Sequence, residues 1–376
     1  MEHFKFELIH QSKKSKARVG RIHTPHGIID TPNFVAVGTN GTLKALDSVT
    51  VDSIGLQLMF CNTYHLILQP GTEVIKNAGG LHKFINRKNP IITDSGGFQV
   101  FSLAYGSVAD ELKSRGTKKT DGTVLKISED GVLFRSYRDG SPVLLTPETS
   151  IKAQKDLGAD IIIPFDELPP YHISPKKLKE SFDRTHRWER RSLNAHLQNR
   201  QNQAMYAVIH GGVDNELRAK SCQILSELDF DGFAIGGSIG KNRDEMINLL
   251  KFTMNHLPLD KPNHLLGIGD LESLKQSIPL GIDTFDSSYP TRAARHGVLL
   301  TQNGPLRILK SGNSNLFEPI DKDCDCFTCK NFSLSYIQHL FKAREMTVMN
   351  LATIHNLHFM VRLMEKYRQD ILEDRI

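Results

Sequence analysis

Short apolar runs alternate with helical patterns along most of this chain. Six runs, each ending in a polar or glycine-rich motif, lie at residues 90–93, 161–165, 205–209, 232–235, 264–266 and 282–285. Helical patterns lie between or after these runs, at residues 171–200, 214–228, 243–257 and 271–279. Nearly continuous apolar strands that alternate with helices are typical of βα units in a parallel sheet. The pattern therefore predicts an α/β fold.

The number of these units distinguishes between two parallel architectures. Six units in series favour a TIM (β/α)8 barrel over a doubly wound sheet, because no glycine-rich dinucleotide loop opens the series. The active sites of such barrels lie at the carboxyl ends of the strands. The polar or glycine residues at those ends are Asp94, Asp166, His210, Gly237 and Asp286. We therefore expect the active site at this end of the barrel.

Segments outside the repeated units indicate additions to the barrel. Residues 4–37 have the pattern of β-structure that precedes the barrel, and residues 103–145 form a polar insertion. A separate element that contains cysteines begins near Pro305. We therefore predict a barrel over residues 1–304, with the N-terminal strands and the insertion included. A zinc-binding subdomain with a C-terminal helix follows over residues 305–376.

Composition excludes several classes of protein. A chain of 376 residues with 39% hydrophobic and 24% charged residues can bury a sizeable core. No apolar run approaches the roughly 18 residues that span a bilayer, and the amino terminus has no apolar signal region. The net charge of +5 permits contact with an anionic partner such as RNA without requiring it. We therefore expect a soluble, cytoplasmic protein without membrane contact.

Three of the five cysteines lie close together, at Cys324, Cys326 and Cys329. In a reducing compartment such crowding favours a metal site over disulfides, with free thiols or a redox pair as alternatives. Three thiolates and one imidazole fill the four positions of Zn²⁺ and leave none for a substrate, so we predict a structural zinc ion. His355 is the preferred fourth ligand, and His339 and His358 are alternatives.

Two aspartates at strand ends have the chemistry of a catalytic pair. Asp94 precedes the Gly96-Gly97 loop, whose backbone can approach a ligand closely, and Asp286 ends the last clear strand. Two carboxylates across a pocket can cleave a glycosidic bond, one as nucleophile and the other as general acid and then base. Alternatively, either aspartate caps a helix. The sequence pattern alone leaves both interpretations open.

Other polar residues near the strand ends suggest contacts with a nucleic acid. Asp166 follows a fully apolar strand, where a carboxylate can accept hydrogen bonds from a purine edge, cap a helix or pair with a lysine. Residues 236–241 lack the spacing of a phosphate loop, so we interpret them as a glycine-rich turn that lines a pocket. Arg292 and Arg295, close to Asp286, are candidates for phosphate contacts.

Several motifs are distributed over nearly the whole chain. They lie at residues 38–41 (GTNG), 62–66 (NTYHL), 93–100 (TDSGGFQV), 145–148 (LTPE), 165–167 (FDE), 290–292 (PTR) and 353–356 (TIHN). Together with the cysteine cluster they resemble the signatures of the queuine/tRNA-guanine transglycosylases, in the order found in that family. The resemblance implies a TIM barrel with a zinc-bearing insertion, a homodimer, and exchange of a wobble guanine in tRNA for a 7-deazaguanine base.

The resemblance also implies a role for individual residues. Asp286 would be the nucleophile that holds the tRNA covalently, and Asp94 would be the general acid and base. Asp166 would bind the Watson–Crick edge of the base, and two apolar side chains would sandwich its ring. The complete set of implied base-binding residues is Asp166, Ser95, His210, Gly237, Ser238, Phe98 and Leu266. The implied zinc ligands are the three clustered cysteines and His355.

Some positions depart from the pattern of the bacterial members. His210 stands where many have Gln, Leu168 where they typically have Cys, and Gly240 where they typically have Val. An imidazole cannot reproduce the two-sided hydrogen bonding of an amide, so base recognition is expected to differ. Lys241-Asn242 replaces a Gly-Glu pair. Losing the Val side chain opens volume and losing the Glu removes an acceptor for an amine, so we expect queuine to be favoured over the aminomethyl precursor.

The main alternative is a non-catalytic tRNA-binding partner subunit, because the family contains such paralogues. A partner subunit is expected to have lost Asp94 or Asp286, and both are present. An archaeal-type enzyme, which usually carries additional C-terminal RNA-binding domains, is less favoured. Ordinary sugar hydrolysis gives no reason for the cysteine cluster. We therefore expect a catalytic pentosyltransferase.

Overall fold

A computed structural model describes residues 4–106, 108–115 and 123–376, without the side chains of Val100, Val108 and Ala109. The strands are β1 Lys5–Gln11, β2 Arg18–Thr24, β3 Gly27–Thr31, β4 Asn33–Val37, β5 Met59–Cys61, β6 Ile91–Thr93, β7 Val124–Ile127, β8 Val132–Arg135, β9 Pro142–Leu145, β10 Ile161–Ile162, β11 Ala204–Ile209, β12 Gly232–Ile235, β13 Asn263–Leu265, β14 Thr284–Ser287, β15 Val298–Leu299 and β16 Leu306–Arg307. The helices are α1 Ser48–Ser53, α2 Thr63–Leu68, α3 Thr72–Asn77, α4 Leu81–Phe84, α5 Gly97–Tyr105, α6 Val108–Ser114, α7 Pro147–Leu157, α8 Pro175–Leu197, α9 Asn215–Ser226, α10 Arg243–Thr253, α11 Leu271–Ser277, α12 Tyr289–Arg295, α13 Phe327–Asn331, α14 Leu334–Ala343 and α15 Thr347–Leu372.

Parallel strands close into a barrel in the order β4-β5-β6-β10-β11-β12-β13-β14. The last strand pairs with the first, with Asp286 opposite Val35, so the sheet has no free edge. The predicted α/β class and TIM (β/α)8 barrel are confirmed. The prediction that all of residues 4–37 precede the barrel is wrong, because residues 33–37 form its first strand. The pattern missed β4 because it follows the N-terminal strands after a single residue, and it also missed the short strand β5.

Side chains of each barrel strand alternate between the barrel interior and the surrounding helices. In β11, Tyr206 and Val208 belong to the inner apolar cluster, while Met205, Ala207 and Ile209 pack in the outer cluster with the helices. This alternation follows from the two-residue period of a strand. Both faces of the sheet are therefore buried, which explains the nearly continuous apolar runs in the sequence.

The antiparallel sheet β1-β2-β3 covers the barrel end at which the parallel strands begin. The ring of Phe4 lies 5.9 Å from that of Tyr206 in the barrel interior. Arg18 of β2 makes a bidentate ion pair with Asp283, with Nη2–Oδ2 at 2.6 Å and Nε–Oδ1 at 2.9 Å. Both side chains are buried. This pair fastens the N-terminal sheet to the segment just before β14, which carries Asp286.

Replacing Arg18 with Met is expected to lower the free energy of unfolding by about 3–5 kcal/mol, because it leaves Asp283 buried without its charged partner. Arg21, also in β2, provides a matched control, since its ion pair with Asp30 at 3.1 Å is solvent-exposed. Arg21→Met should cost less than about 1 kcal/mol. Urea denaturation of both variants measures the difference. Equal losses would show that the buried pair does not fasten the sheet.

The predicted insertion contains α6 and the antiparallel sheet β7-β8-β9. Residues 107 and 116–122 of the insertion lie outside the described part of the chain. Phe134 of β8 packs in a buried cluster with Tyr64 and Trp188, so the sheet rests on α2 and α8. Val124 and Val132 also line a cavity that reaches Asp166. The insertion therefore forms one wall beside the carboxyl ends of the barrel strands.

The C-terminal helix α15 contacts both predicted units. Leu357 and Met360 pack in the outer cluster of the barrel, whereas Val348 and Leu351 pack in the cluster that contains Cys326. The helix therefore ties the cysteine-bearing element to the barrel, and the division at residue 304 stays a prediction. Among the helices that the structure describes, none has the length and apolar character needed to cross a membrane.

Candidate active site and metal centre

Asp94 follows β6, and its buried carboxyl group accepts three hydrogen bonds. The donors are Asn62 Nδ2 at 2.6 Å, the Thr63 backbone N–H at 2.7 Å and Gln99 Nε2 at 2.9 Å. These donors favour the charged form, but burial outweighs them and raises the pKa of Asp94 to about 6. A carboxyl group with this pKa can both give and take a proton near neutral pH.

Asp286 lies in β14 and is held by groups that follow or belong to β13. Its Oδ1 accepts a hydrogen bond from the Gly267 N–H at 2.7 Å and lies 3.1 Å from His264 Nε2. The other ring nitrogen of His264 lies 2.8 Å from Thr284 Oγ1. Both contacts are made to Oδ1, and they fix the orientation of the carboxyl group. An oriented carboxylate at the barrel mouth is suited to nucleophilic attack.

Asp166, Ser95 and His210 meet at the ends of β10, β6 and β11. Ser95 Oγ donates to Asp166 Oδ1 at 2.8 Å, and His210 Nε2 lies 3.4 Å from Asp166 Oδ2. Gly97 allows this approach, because a Cβ at that position would lie only 2.3 Å from the Asp166 carbonyl oxygen. The structure therefore brings together three of the residues for which the resemblance implies base binding.

The glycine turn after β12 forms the next part of the pocket. Gly237 has φ +83°, and a Cβ built there would lie 3.7 Å from His210 Nδ1 and 4.0 Å from Leu168 Cδ1. Gly237, His210 and Leu168 therefore converge on one region. Ser238 Oγ donates to the Pro169 carbonyl at 2.8 Å, which ties the turn to the loop that carries Leu168.

Gly240 lies against α10 instead of opening volume in this region. A Cβ on Gly240 would lie 2.9 Å from the Met246 backbone nitrogen and 3.2 Å from Glu245 Cβ. Glu245 is an acidic group near the turn that the sequence analysis missed. Its two oxygens accept hydrogen bonds from the Lys241 N–H at 2.7 Å and from the Tyr171 hydroxyl at 3.0 Å. The argument from lost side-chain volume at Gly240 is therefore wrong, because the missing side chain faces the helix.

Apolar and cationic side chains border the same mouth. Phe98, at the start of α5, is 47% exposed, which leaves ring surface for stacking. Leu266, which follows β13, packs against the inner barrel cluster and would lie 3.0 Å from a Cβ on Gly236. Arg292 and Arg295 lie on α12, six and nine residues after Asp286, with Arg292 exposed to solvent. The structure thus places the predicted stacking and phosphate-binding residues around the strand ends.

The cysteine cluster forms a second, separate centre. Three sulfur atoms surround His355 Nδ1, Cys324 and Cys326 at 3.7 Å and Cys329 at 3.3 Å. His355 Nε2 lies 2.8 Å from the Leu300 carbonyl, to which a ring N–H there donates. That bond leaves the lone pair of Nδ1 directed at the sulfurs, the arrangement found for metal-bound histidines. The donor set is therefore compatible with a metal ion, and His355 is the histidine that completes it.

The other two candidate histidines do not complete the cluster. His358 Nδ1 lies 3.8 Å from Cys324 Sγ, but its Nε2 pairs with Asp325 at 3.2 Å. His339 lies next to Tyr336, with ring centroids 6.4 Å apart. Among the described residues, the group of four donor atoms within 4.8 Å of one another therefore contains His355 and neither alternative.

The fold and the two centres together define a (β/α)8-barrel enzyme with a carboxyl-lined pocket and a separate thiolate–imidazole site. A family model described as queuine tRNA-ribosyltransferase matches residues 12–376. The chain therefore belongs to the queuine tRNA-ribosyltransferase family and is a pentosyltransferase.

Individual relatives support this assignment over the full length. A queuine tRNA-ribosyltransferase of Protochlamydia amoebophila (strain UWE25) is 74% identical over 376 residues, which are 100% of this chain and 97% of the relative. A protein of the same name from Chlamydia felis (strain Fe/C-56) is 56% identical over 373 residues, 99% of each chain. The corresponding protein of Chlamydia trachomatis serovar D is 53% identical with the same coverage.

Proposed function

We propose that this enzyme exchanges the guanine at the wobble position of a tRNA anticodon for a 7-deazaguanine base. The observation that supports this most directly is the meeting of Asp94, Asp166 and Asp286 at one mouth of the barrel, each held by defined donors. One carboxyl group can attack the sugar, one can transfer the proton and one can bind the base. A non-catalytic partner subunit would have no use for Asp94 and Asp286 held in this way.

In the first displacement, Asp286 attacks the anomeric carbon of the nucleotide. A bond forms between its carboxylate oxygen and that carbon, the glycosidic bond breaks, and Asp94 gives its proton to the departing guanine. In the second displacement, Asp94 takes a proton from the incoming base, whose ring nitrogen then displaces Asp286. Two displacements at one carbon retain its configuration, as in retaining glycosidases. The base has to leave the anticodon stack first, which requires stacking walls in the pocket.

Asn62→Ala is expected to raise the pKa of Asp94 above its value of about 6, because it removes a donor that stabilises the carboxylate. The second displacement needs ionised Asp94, so kcat/KM for the incoming base is lost as the pH falls through this pKa. We expect the acidic limb of that profile to move up by about one pH unit. Asn89→Ala, far from the barrel mouth, is the control. If the acidic limb of the Asn62→Ala profile stays where it is in the wild type, Asp94 is not the group whose ionisation that limb reports.

We propose that queuine is favoured over the aminomethyl precursor. Leu168 adds an apolar side chain beside Gly237, and both oxygens of Glu245 are already occupied by hydrogen bonds within the chain. Neither feature provides a free carboxylate for a cationic amine. Competition between labelled queuine and labelled precursor for incorporation into tRNA tests the preference. A much higher efficiency for the precursor would contradict it.

We propose that the cysteine cluster holds a structural Zn²⁺. Cys324, Cys326, Cys329 and His355 would supply the four ligands of a closed tetrahedral site, with no position left for a substrate. The bound ion would contribute folding energy and would take no part in the reaction. The ligands fit that role, because Cys329 lies on the short helix α13 and His355 on the long helix α15, so a bound ion would join the two helices.

Three further features complete the proposed function, and of these the homodimer rests on the resemblance to the family. Arg292 and Arg295 on α12 are proposed to contact tRNA phosphates near the attacked nucleotide. A homodimer is proposed as the working state, and sedimentation with and without tRNA measures it. A cytoplasmic location is proposed because the tRNA substrate is found there.

A further inference from the structure

Glu189 is a buried carboxyl group next to the base pocket for which the reaction described above has no role. It lies on α8 and is fully buried. Its Oε2 accepts a hydrogen bond from the Val208 N–H at 3.2 Å, whereas Oε1 has no hydrogen-bond partner among the described residues. Oε1 lies 3.8 Å from His210 Nε2, about 1 Å beyond hydrogen-bond distance. Its free oxygen therefore faces a residue of the base pocket.

The two ring nitrogens of His210 face different surroundings. Nε2 lies 3.4 Å from Asp166 Oδ2 and 3.8 Å from Glu189 Oε1. Nδ1 is on the side of the glycine turn, 3.7 Å from the place that a Cβ on Gly237 would occupy. The imidazole is almost completely buried and lies between these two carboxyl groups and the glycine turn, the side on which the proposed function places the base.

A guanine-type base in this pocket needs a hydrogen-bond donor opposite its 6-oxo oxygen. The Watson–Crick edge of a guanine-type base offers N–H donors, which Asp166 can accept, and a 6-oxo oxygen, which is an acceptor. A histidine donates from Nδ1 only when that nitrogen carries hydrogen. With Asp166 as its only neighbour, a neutral His210 would place its hydrogen on Nε2 and present a lone pair to the 6-oxo oxygen. That arrangement would repel the base.

We propose that Glu189 is a positioning residue that keeps a hydrogen on His210 Nδ1 and so makes His210 the donor to the 6-oxo oxygen; this inference rests on the proposed function. Besides the hydrogen on Nδ1, the Glu189–His210 pair holds one further proton, which is on either Glu189 or His210. When Glu189 holds it, the acid faces the lone pair of Nε2 across 3.8 Å, and when His210 holds it, the imidazolium faces the carboxylate. Nδ1 carries hydrogen in both forms.

The surroundings favour the form in which the proton stays on Glu189. Burial raises the pKa of Glu189 well above its usual range, and the nearby carboxylate of Asp166 raises it further. The buried guanidinium of Arg218 donates to the Gly236 carbonyl at 2.8 Å, next to the same turn. A protonated Glu189 therefore needs no cation beside it and can face the lone pair of His210 Nε2.

Base binding and exchange kinetics of Glu189 and His210 variants test this inference. Glu189→Ala should raise KM for 7-deazaguanine about tenfold and leave kcat within about twofold, because one hydrogen bond to the base is lost. Its preference should shift towards an analogue with an amino group at position 6. Glu189→Gln should remain close to wild type, because its amide can present an N–H to the Nε2 lone pair as the protonated acid does.

The His210→Gln background separates this role from a merely structural one. The amide of Gln donates to the 6-oxo oxygen without help from Glu189, so Glu189→Ala should leave the base KM of His210→Gln unchanged. An equal rise in KM in both backgrounds, or a Glu189→Gln variant as impaired as Glu189→Ala, would overturn the inference.

Two measurements keep the test valid if a variant does not fold or if the proposed function fails. Nitrogen NMR of the wild-type enzyme, with His210→Gln to assign the signal, should show hydrogen on Nδ1. A neutral ring with hydrogen only on Nε2 would overturn the inference without any variant at residue 189. Calorimetric binding of 7-deazaguanine tests the role of Glu189 even if no exchange occurs, whereas absent exchange by the wild type counts against the proposed function alone.

Discussion

Asp286→Asn is expected to abolish the covalent enzyme–tRNA adduct and to lower base exchange by about 10⁴-fold or more, as removal of a catalytic nucleophile does elsewhere. The amide has nearly the same shape as the carboxylate but is a much weaker nucleophile. The Gly267 N–H and His264 remain in place around residue 286, so the fold should not change. Denaturing gels with labelled tRNA and guanine exchange measure the two effects.

A second aspartate near the barrel mouth provides the control for this variant. Asp270 caps α11, where its side chain accepts a hydrogen bond from the Ser273 N–H at 3.1 Å. Asp270→Asn keeps a good capping residue and should retain both adduct and exchange. An adduct at wild-type level in Asp286→Asn would remove Asp286 from the mechanism. Normal exchange without any adduct would contradict the double displacement itself.

Cys326→Ser is expected to reduce the bound zinc from one ion per chain to nearly none and to lower the melting temperature by about 10 °C. Cys326 Sγ lies 3.7 Å from His355 Nδ1 and also accepts the Cys329 N–H, so its loss disturbs both the donor set and the start of α13. Zinc analysis and calorimetry of the purified protein measure both effects.

Cys222 is the matched control for the zinc prediction. It is a buried free cysteine on α9, outside the cluster of metal-binding donors. Cys222→Ser should retain full zinc content, even if replacing the buried thiol lowers stability by about 1 kcal/mol. Retained zinc and unchanged melting in Cys326→Ser would show that the cluster is not a structural metal site.

The sequence predicted the site residues that stand at the ends of the barrel strands. Asp94, Asp166, His210 and Asp286 each follow or end an apolar run, and the carboxyl ends of parallel strands meet at one end of a barrel. The structure brings these residues to that end. The cysteine spacing predicted the donor set in the same way, because clustered thiolates have few other uses in a reducing compartment.

Other residues of the site gave no such signal. His264 lies inside the short strand β13 and Glu189 inside the long helix α8, so only the folded chain shows that they face Asp286 and His210. Gly240 illustrates the opposite problem. The sequence shows that a side chain is missing, but only the backbone shows that the missing group faces α10. The direction of a side chain depends on packing between elements that are distant in sequence.

Exchange of labelled guanine into tRNA tests the central claim most directly. The enzyme is incubated with labelled guanine and a tRNA that has guanine at the wobble position, and a tRNA with adenine there is the control. The proposed function predicts that label enters the first tRNA, at the wobble nucleotide, and not the second. Binding of the first tRNA without any incorporation of label would contradict it and would identify the chain as a tRNA-binding protein without this activity.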